Sequence, residues 1–193
     1  MPRAFVALLL DDPTRSAVSA EIERLRPLSS AVAWVPAANL HLTLKFLGEQ
    51  TEARLAETVE ALEEAVRGTP PFTIALHGVG GFPGLARPRI LWVGLAEGGV
   101  EALQRLQSRI EAALLARGFD ADTRPWHAHL TIGRVFDDRR WQRDAGRLEE
   151  SLARLARSGF GHLAVTRIAL MRSDLSPRGA RYSELRSVEL PAG

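Results

Sequence analysis

Asn39-Leu40-His41-Leu42-Thr43-Leu44-Lys45-Phe46-Leu47-Gly48 is the stretch that decides the fold, because its centre returns as His129-Leu130-Thr131-Ile132 in the second half of the chain. In an extended strand, residues two apart share a face. Each copy therefore sets an imidazole beside a hydroxyl and turns the intervening apolar residue to the other side. Alternation over 40–47 sends Leu42, Leu44 and Phe46 one way and His41, Thr43 and Lys45 the other, which makes Phe46 a core residue. Two such strands meeting about a pseudo-twofold axis would bring two imidazoles and two hydroxyls around one point.

That constellation suits in-line displacement at phosphorus. One imidazole takes a proton from the attacking water and the other gives one to the departing oxygen. The hydroxyls hold the non-bridging oxygens as charge builds on them. Histidine fits both proton roles because its ordinary pKa lies near neutrality. The arrangement needs no metal and no cofactor. A single His-x-Thr carries little weight as a motif, but two copies in strands with the same apolar filler carry much more.

Outward from the repeat, Arg3 to Leu10 reads as a strand, followed by a helix from Asp12-Pro13 to about Arg26. Trp34-Val35-Pro36 is a short extended piece. Thr51 caps a second helix running to Arg67 and closed by Gly68. Phe72 to His77 and Ile90 to Leu95 are strands, with the glycine-rich stretch 78–84 between them read as a loop. A third helix spans Val100 to Arg117, a strand Trp126 to Val135, and a fourth helix Asp137 to Arg157. Leu163 to Arg172 and Tyr182 to Leu190 are the last strands, joined by a loop through Pro177 and Gly179. Helices interspersed among strands, with no glycine-rich phosphate loop after any of them, indicate a mixed α/β or α+β domain and leave a Rossmann or P-loop reading without support.

Composition narrows the chemistry. The 193 residues include no cysteine, which removes disulfides, a thiolate nucleophile and a Cys-based zinc site. The apolar run from Ala4 ends at Asp11 and Asp12, too short for a membrane span or a secretory signal, so the expected location is the cytoplasm. The formal net charge is only +2, and Lys45 is the single lysine among many arginines. That argues weakly for a dedicated nucleic-acid binder, although arginine suits bidentate phosphate contacts.

The residues also resemble a known family. Arg3-Ala4-Phe5-Val6-Ala7, the stretch 39–48, Arg87-Pro88-Arg89-Ile90-Leu91-Trp92-Val93-Gly94, His129-Leu130-Thr131-Ile132-Gly133-Arg134 and Ser173-Asp174-Leu175 with Gly179 and Tyr182 are similar to segments of the 2H phosphoesterases. Within that family the chain resembles the RNA 2′,3′-cyclic phosphodiesterase, or 2′-5′ RNA ligase-like, branch. Ala128 departs from the pattern, where proline is usual. The resemblance implies an α+β, bilobal fold with two pseudo-symmetric antiparallel-sheet lobes, outer helices and a central cleft, forming one domain over 1–193. It implies hydrolysis of 2′,3′-cyclic phosphate ends to 2′-phosphates, with His41 as proton donor, His129 as proton acceptor, and Thr43 and Thr131 on the phosphate. The expected partner is RNA with such an end, with tRNA fragments and small cyclic nucleotides as candidate substrates. Nothing in the sequence calls for a membrane or for more than a monomer. Ligation forming a 2′-5′ linkage at the same site and non-catalytic RNA binding are the alternatives. Paired proton carriers argue against the second.

Phe46, Arg134, His127 and Tyr182 are candidate contacts to RNA or base. Trp92 can also stack on a base, whereas parity turns Arg134 away from Thr131 unless the strand bulges. His127 shares a strand face with His129; a metal pair there lacks a nearby Asp or Glu cluster and any cysteine, a histidine-triad-like site would not explain the first motif, and His127 reads as a cleft-edge or structural residue. Arg124, Arg172, Arg178 and Arg181 are candidates to line an RNA path, while His77 and His162 read as structural.

Overall fold

The computed structural model describes residues 2–176 and 179–192; Pro177 and Arg178, including the proposed path residue, lie outside the described residues. The order is β1 (Arg3–Leu9), α1 (Asp12–Leu25), β2 (Val32–Trp34), β3 (His41–Glu49), α2 (Glu52–Val66), β4 (Phe72–Phe82), β5 (Ile90–Leu95), α3 (Val100–Leu115), β6 (Leu130–Val135), α4 (Asp138–Leu155), β7 (Gly159–Val165), β8 (Arg167–Ser176) and β9 (Gly179–Glu189). The helix starts follow their capping residues. Asp11 accepts from Thr14 N at 2.9 Å, Thr51 from Arg54 N at 3.3 Å and Asp137 from Arg140 N at 2.9 Å, each satisfying an orphan donor of the first turn.

Every strand pairing is antiparallel, in the order β7-β4-β5-β6-β3-β1-β8-β9, with β2 also on β6. β3 and β6 therefore sit at the centre, joined only at Leu42↔Leu130. α2 and α3 pack together over the β3-β1-β8-β9 half, while α1 and α4 cover β7 and β4 in the other. The main core lies between sheet and helices and includes Val6, Leu42, Leu44, Leu91, Leu130 and Ile132. Phe5, Ala7, Ala169 and Met171 form a smaller buried cluster on the opposite face, with Leu9 and Tyr182 against it. That second face carries the His-x-Thr side chains.

Several expectations change. The glycine-rich stretch is not a loop up to Gly84, because β4 continues through it to Phe82, opposite β5. Small residues are needed there: a Cβ on Gly80 would lie 2.3 Å from the Trp92 ring. The strand expected from Trp126 begins only at Leu130, since residues 126–129 have no strand partner. The stretch 163–172 divides at Thr166 into two strands at distant places in the sheet, β7 beside β4 and β8 beside β1.

Both motif strands bulge just past the threonine. Ala7 pairs with Thr43 and Val6 with Lys45, leaving Leu44 as the extra residue. Trp92 pairs with Thr131 and Leu91 with Gly133, leaving Ile132 as the extra residue. A bulge puts two residues opposite one and reverses the alternation beyond it. Lys45 accordingly turns to the core side, 3% exposed, and Phe46 turns out to the open face, 65% exposed. The expectation that Phe46 is buried is wrong for this reason. The same device brings Arg134 round to the Thr131 face.

Candidate active site

In an antiparallel pair centred on Leu42 and Leu130, position 41 lies opposite 131 and position 43 opposite 129. Each imidazole thus faces the threonine of the other motif, and all four side chains are half-buried on one face. Among the described residues neither threonine hydroxyl has a protein partner, so both remain available to a ligand.

The histidines are oriented alike. His41 Nδ1 donates to the Asn39 carbonyl at 2.7 Å and His129 Nδ1 to the His127 carbonyl at 2.8 Å. A carbonyl can only accept, so Nδ1 carries the hydrogen in both rings. Each Nε2 is left free to take or give a proton. Asn39 is itself tied to the β8–β9 hairpin by its side chain, which donates to the Ala180 carbonyl at 2.8 Å.

The ring surroundings differ. His41 lies 4.8 Å from Phe5 and 5.1 Å, edge-on, from Tyr182, measured between ring centroids. His129 meets Phe82 edge-on at 5.3 Å, and Phe82 in turn lies 5.3 Å from Trp92. Burial pushes the His41 pKa below the ordinary 6.5. Its bond to the Asn39 carbonyl opposes that shift, and the nearby Arg134 guanidinium adds to it.

Of the other expected contacts, Tyr182, Arg134 and Phe46 reach the site face. Phe46 lies 6.2 Å from Phe5. His127 is exposed, with its ring 6.4 Å from Phe82; its carbonyl, not its imidazole, is what holds His129. Arg172 is spent on Asp174 at 2.9 Å, while Arg124 and Arg181 are exposed. His77 and His162 are exposed on β4 and β7. Among the described residues no three His, Asp or Glu side chains are grouped as a metal would require. No helix of the described residues is long and apolar enough to cross a membrane.

Sequence reasoning missed Phe82, hidden in a stretch read as a loop, and the fastening of the second motif. Trp126 Nε1 donates to the Thr43 carbonyl at 3.1 Å. Lys45 meets the same incoming segment from the core side. A lone lysine inside the first motif was the available signal for the latter.

Comparison with known proteins identifies the family and the fold. Residues 14–177 match the family model of the 2′-5′ RNA ligase superfamily. A curated protein of Archaeoglobus fulgidus, named RNA 2′,3′-cyclic phosphodiesterase, is 36% identical over 97% of this chain and 99% of its own length. The crystal structure of TT0787 from Thermus thermophilus superposes with a TM-score of 0.75 at 29% identity, covering 98% of both chains. That of E. coli LigT complexed with 3′-AMP gives 0.72 at 25% identity, covering 98% of this chain and 99% of that one.

Proposed function

This chain belongs to the 2′-5′ RNA ligase superfamily, and on that premise we propose that it is an RNA 2′,3′-cyclic phosphodiesterase in which His41 and His129 carry the two protons. The observation that carries the reading is the twin anchoring of the imidazoles. Two Nε2 atoms, one at the start of β3 and one immediately before β6, are free, and each lies across from a threonine hydroxyl with no protein partner.

Water attacks the phosphorus of the cyclic phosphate as the bond to the 3′ oxygen breaks. His129 Nε2 takes the proton of the water, and His41 Nε2 delivers one to the departing 3′ oxygen. The products are a 2′-phosphomonoester and a free 3′ hydroxyl, and proton exchange with solvent restores the pair. Thr43 and Thr131 donate to the non-bridging oxygens. Arg134, on the same face, faces the accumulated negative charge. An anionic phosphodiester beside His41 opposes the effect of its burial and favours the imidazolium the acid role requires. The two halves act as one unit, since each contributes one histidine and one threonine. A 5′ hydroxyl in place of water would give a 2′-5′ linkage by the same proton transfers.

The test is incubation with an oligonucleotide ending in a 2′,3′-cyclic phosphate, with EDTA present. The expected product carries a 2′-phosphate. A 3′-phosphate product, or activity abolished by chelation and restored by added zinc or manganese, would overturn the mechanism.

A further inference from the structure

Residues 119–129 form neither helix nor strand, yet this segment delivers His129 to within a strand's width of the first motif. It is fastened to β3 at two points. Near its end the Trp126 indole, packed against the main core, donates to the Thr43 backbone carbonyl. Nearer its start it meets Lys45, which the bulge turns inward, 3% exposed. Its ammonium donates to Glu111 at 2.9 Å and to the Asp120 carbonyl at 2.9 Å, and lies 3.3 Å from the Asp122 carboxylate. Glu111 on α3 also accepts from Asp122 N at 3.0 Å, so the cluster ties together β3, α3 and the incoming segment.

Burying an ammonium is costly, and a buried ion pair is weak evidence of added stability over an apolar side chain of the same volume. What an apolar side chain cannot supply is a set of directed contacts that ties Glu111 on α3 to the Asp120 carbonyl and the Asp122 carboxylate of the incoming segment. We propose that Lys45 is a positioning residue for the second motif, holding 120–122 so that Trp126 and His129 enter the site in register with His41. The proposal extends the phosphodiesterase reading above, but its structural core can be tested without turnover.

The experiment compares Lys45→Met, Asp122→Asn and Glu111→Gln with the wild-type protein, in the full chain. The Trp126 indole N–H and both site imidazoles are followed by NMR, and kcat and KM are measured on the cyclic-phosphate oligonucleotide. In Lys45→Met the Trp126 indole proton should exchange faster and the His129 resonances should shift, while those of His41 stay close to wild type. The expected loss in kcat is about 10- to 100-fold, with little change in KM, as befits a misplaced reacting group. Asp122→Asn removes one fastening, and so should shift the same resonances in the same sense by less; it decides the matter if Lys45→Met does not fold. Unmoved Trp126 and His129 signals in folded variants would overturn the proposal. If the wild-type protein leaves the cyclic end intact, the phosphodiesterase reading fails while the NMR comparison still decides the role of Lys45.

Discussion

The two halves of the site use one backbone device with different side chains. Past the threonine, each motif strand bulges by one residue, so that Lys45 and Gly133 occupy equivalent inward positions and Phe46 and Arg134 equivalent outward ones. In the first half the inward position holds a buried cation bonded to the segment that leads into the second motif. In the second it must be empty: a Cβ on Gly133 would lie 2.6 Å from Val32 Cγ1 and 3.2 Å from the Trp34 ring, where β2 pairs with β6. The outward position is aromatic in one half and cationic in the other. Backbone symmetry supplies two matched imidazoles, and the substituents make their surroundings unequal, with Arg134 acting on His41 across the centre. Two proton carriers with opposite tasks require that inequality.

The largest effect expected from breaking the pair comes from the histidines. His41→Ala and His129→Ala should each lower kcat by roughly 10²- to 10⁴-fold, with RNA affinity much less changed. His127→Ala, on the neighbouring exposed imidazole, should leave kcat near wild type because only the His127 backbone is used. Equal damage from His127→Ala and His129→Ala would break the correspondence between the halves.

Thr43→Ala and Thr131→Ala each remove one bond to a charged oxygen. At roughly 1.5–3 kcal/mol each should cost about ten- to hundredfold in kcat/KM. Steady-state kinetics on both variants would show whether the threonines are as symmetric as their strands. Gly133→Ala probes the halves where they differ, and overpacking against β2 should cost about 1–3 kcal/mol in a denaturant titration. A neutral result would mean that β2 yields more easily than the close contacts imply.

Arg134→Met gives the finest distinction. Removing its positive charge should raise the His41 pKa, because that charge opposes the imidazolium. His41 acts in its protonated form, so the fall in kcat/KM at high pH should move upward. A downward move, followed by imidazole titration, would place Arg134 elsewhere in the electrostatics of the site.

How much of this was legible in the sequence follows from which rule each residue obeys. The motif pairs were visible because alternation holds through His41-Leu42-Thr43 and through His129-Leu130-Thr131, and because the filler is apolar in both. Alternation fails one residue later, at bulges that no glycine or proline at Leu44 or Ile132 announces. Lys45 and Phe46 were misassigned together for that reason, and the allowance for a bulge before Arg134 proved the right one. Thr166 carries no turn signal either, so one long strand was expected where the chain crosses between the ends of the sheet. The glycines of β4 signalled a loop, but the strand runs through them, and Gly80 is where the Trp92 ring is admitted. Contacts made across the fold, such as Phe82 on His129 and Tyr182 on His41, leave no local trace in the chain.

The most direct test of the paired-histidine claim is the pH dependence of kcat/KM for the wild-type protein, His41→Ala and His129→Ala on the same cyclic-phosphate substrate. The wild-type profile should be a bell with both limbs within about two units of 6.5, the limbs belonging to the coupled pair. His41→Ala should lose the fall at high pH, since no proton donor is left to titrate, and plateau instead. His129→Ala should lose the rise at low pH. A wild-type rate still climbing at pH ~10, near the ordinary range of a lysine, or a bell that survives intact in both variants, would contradict the account.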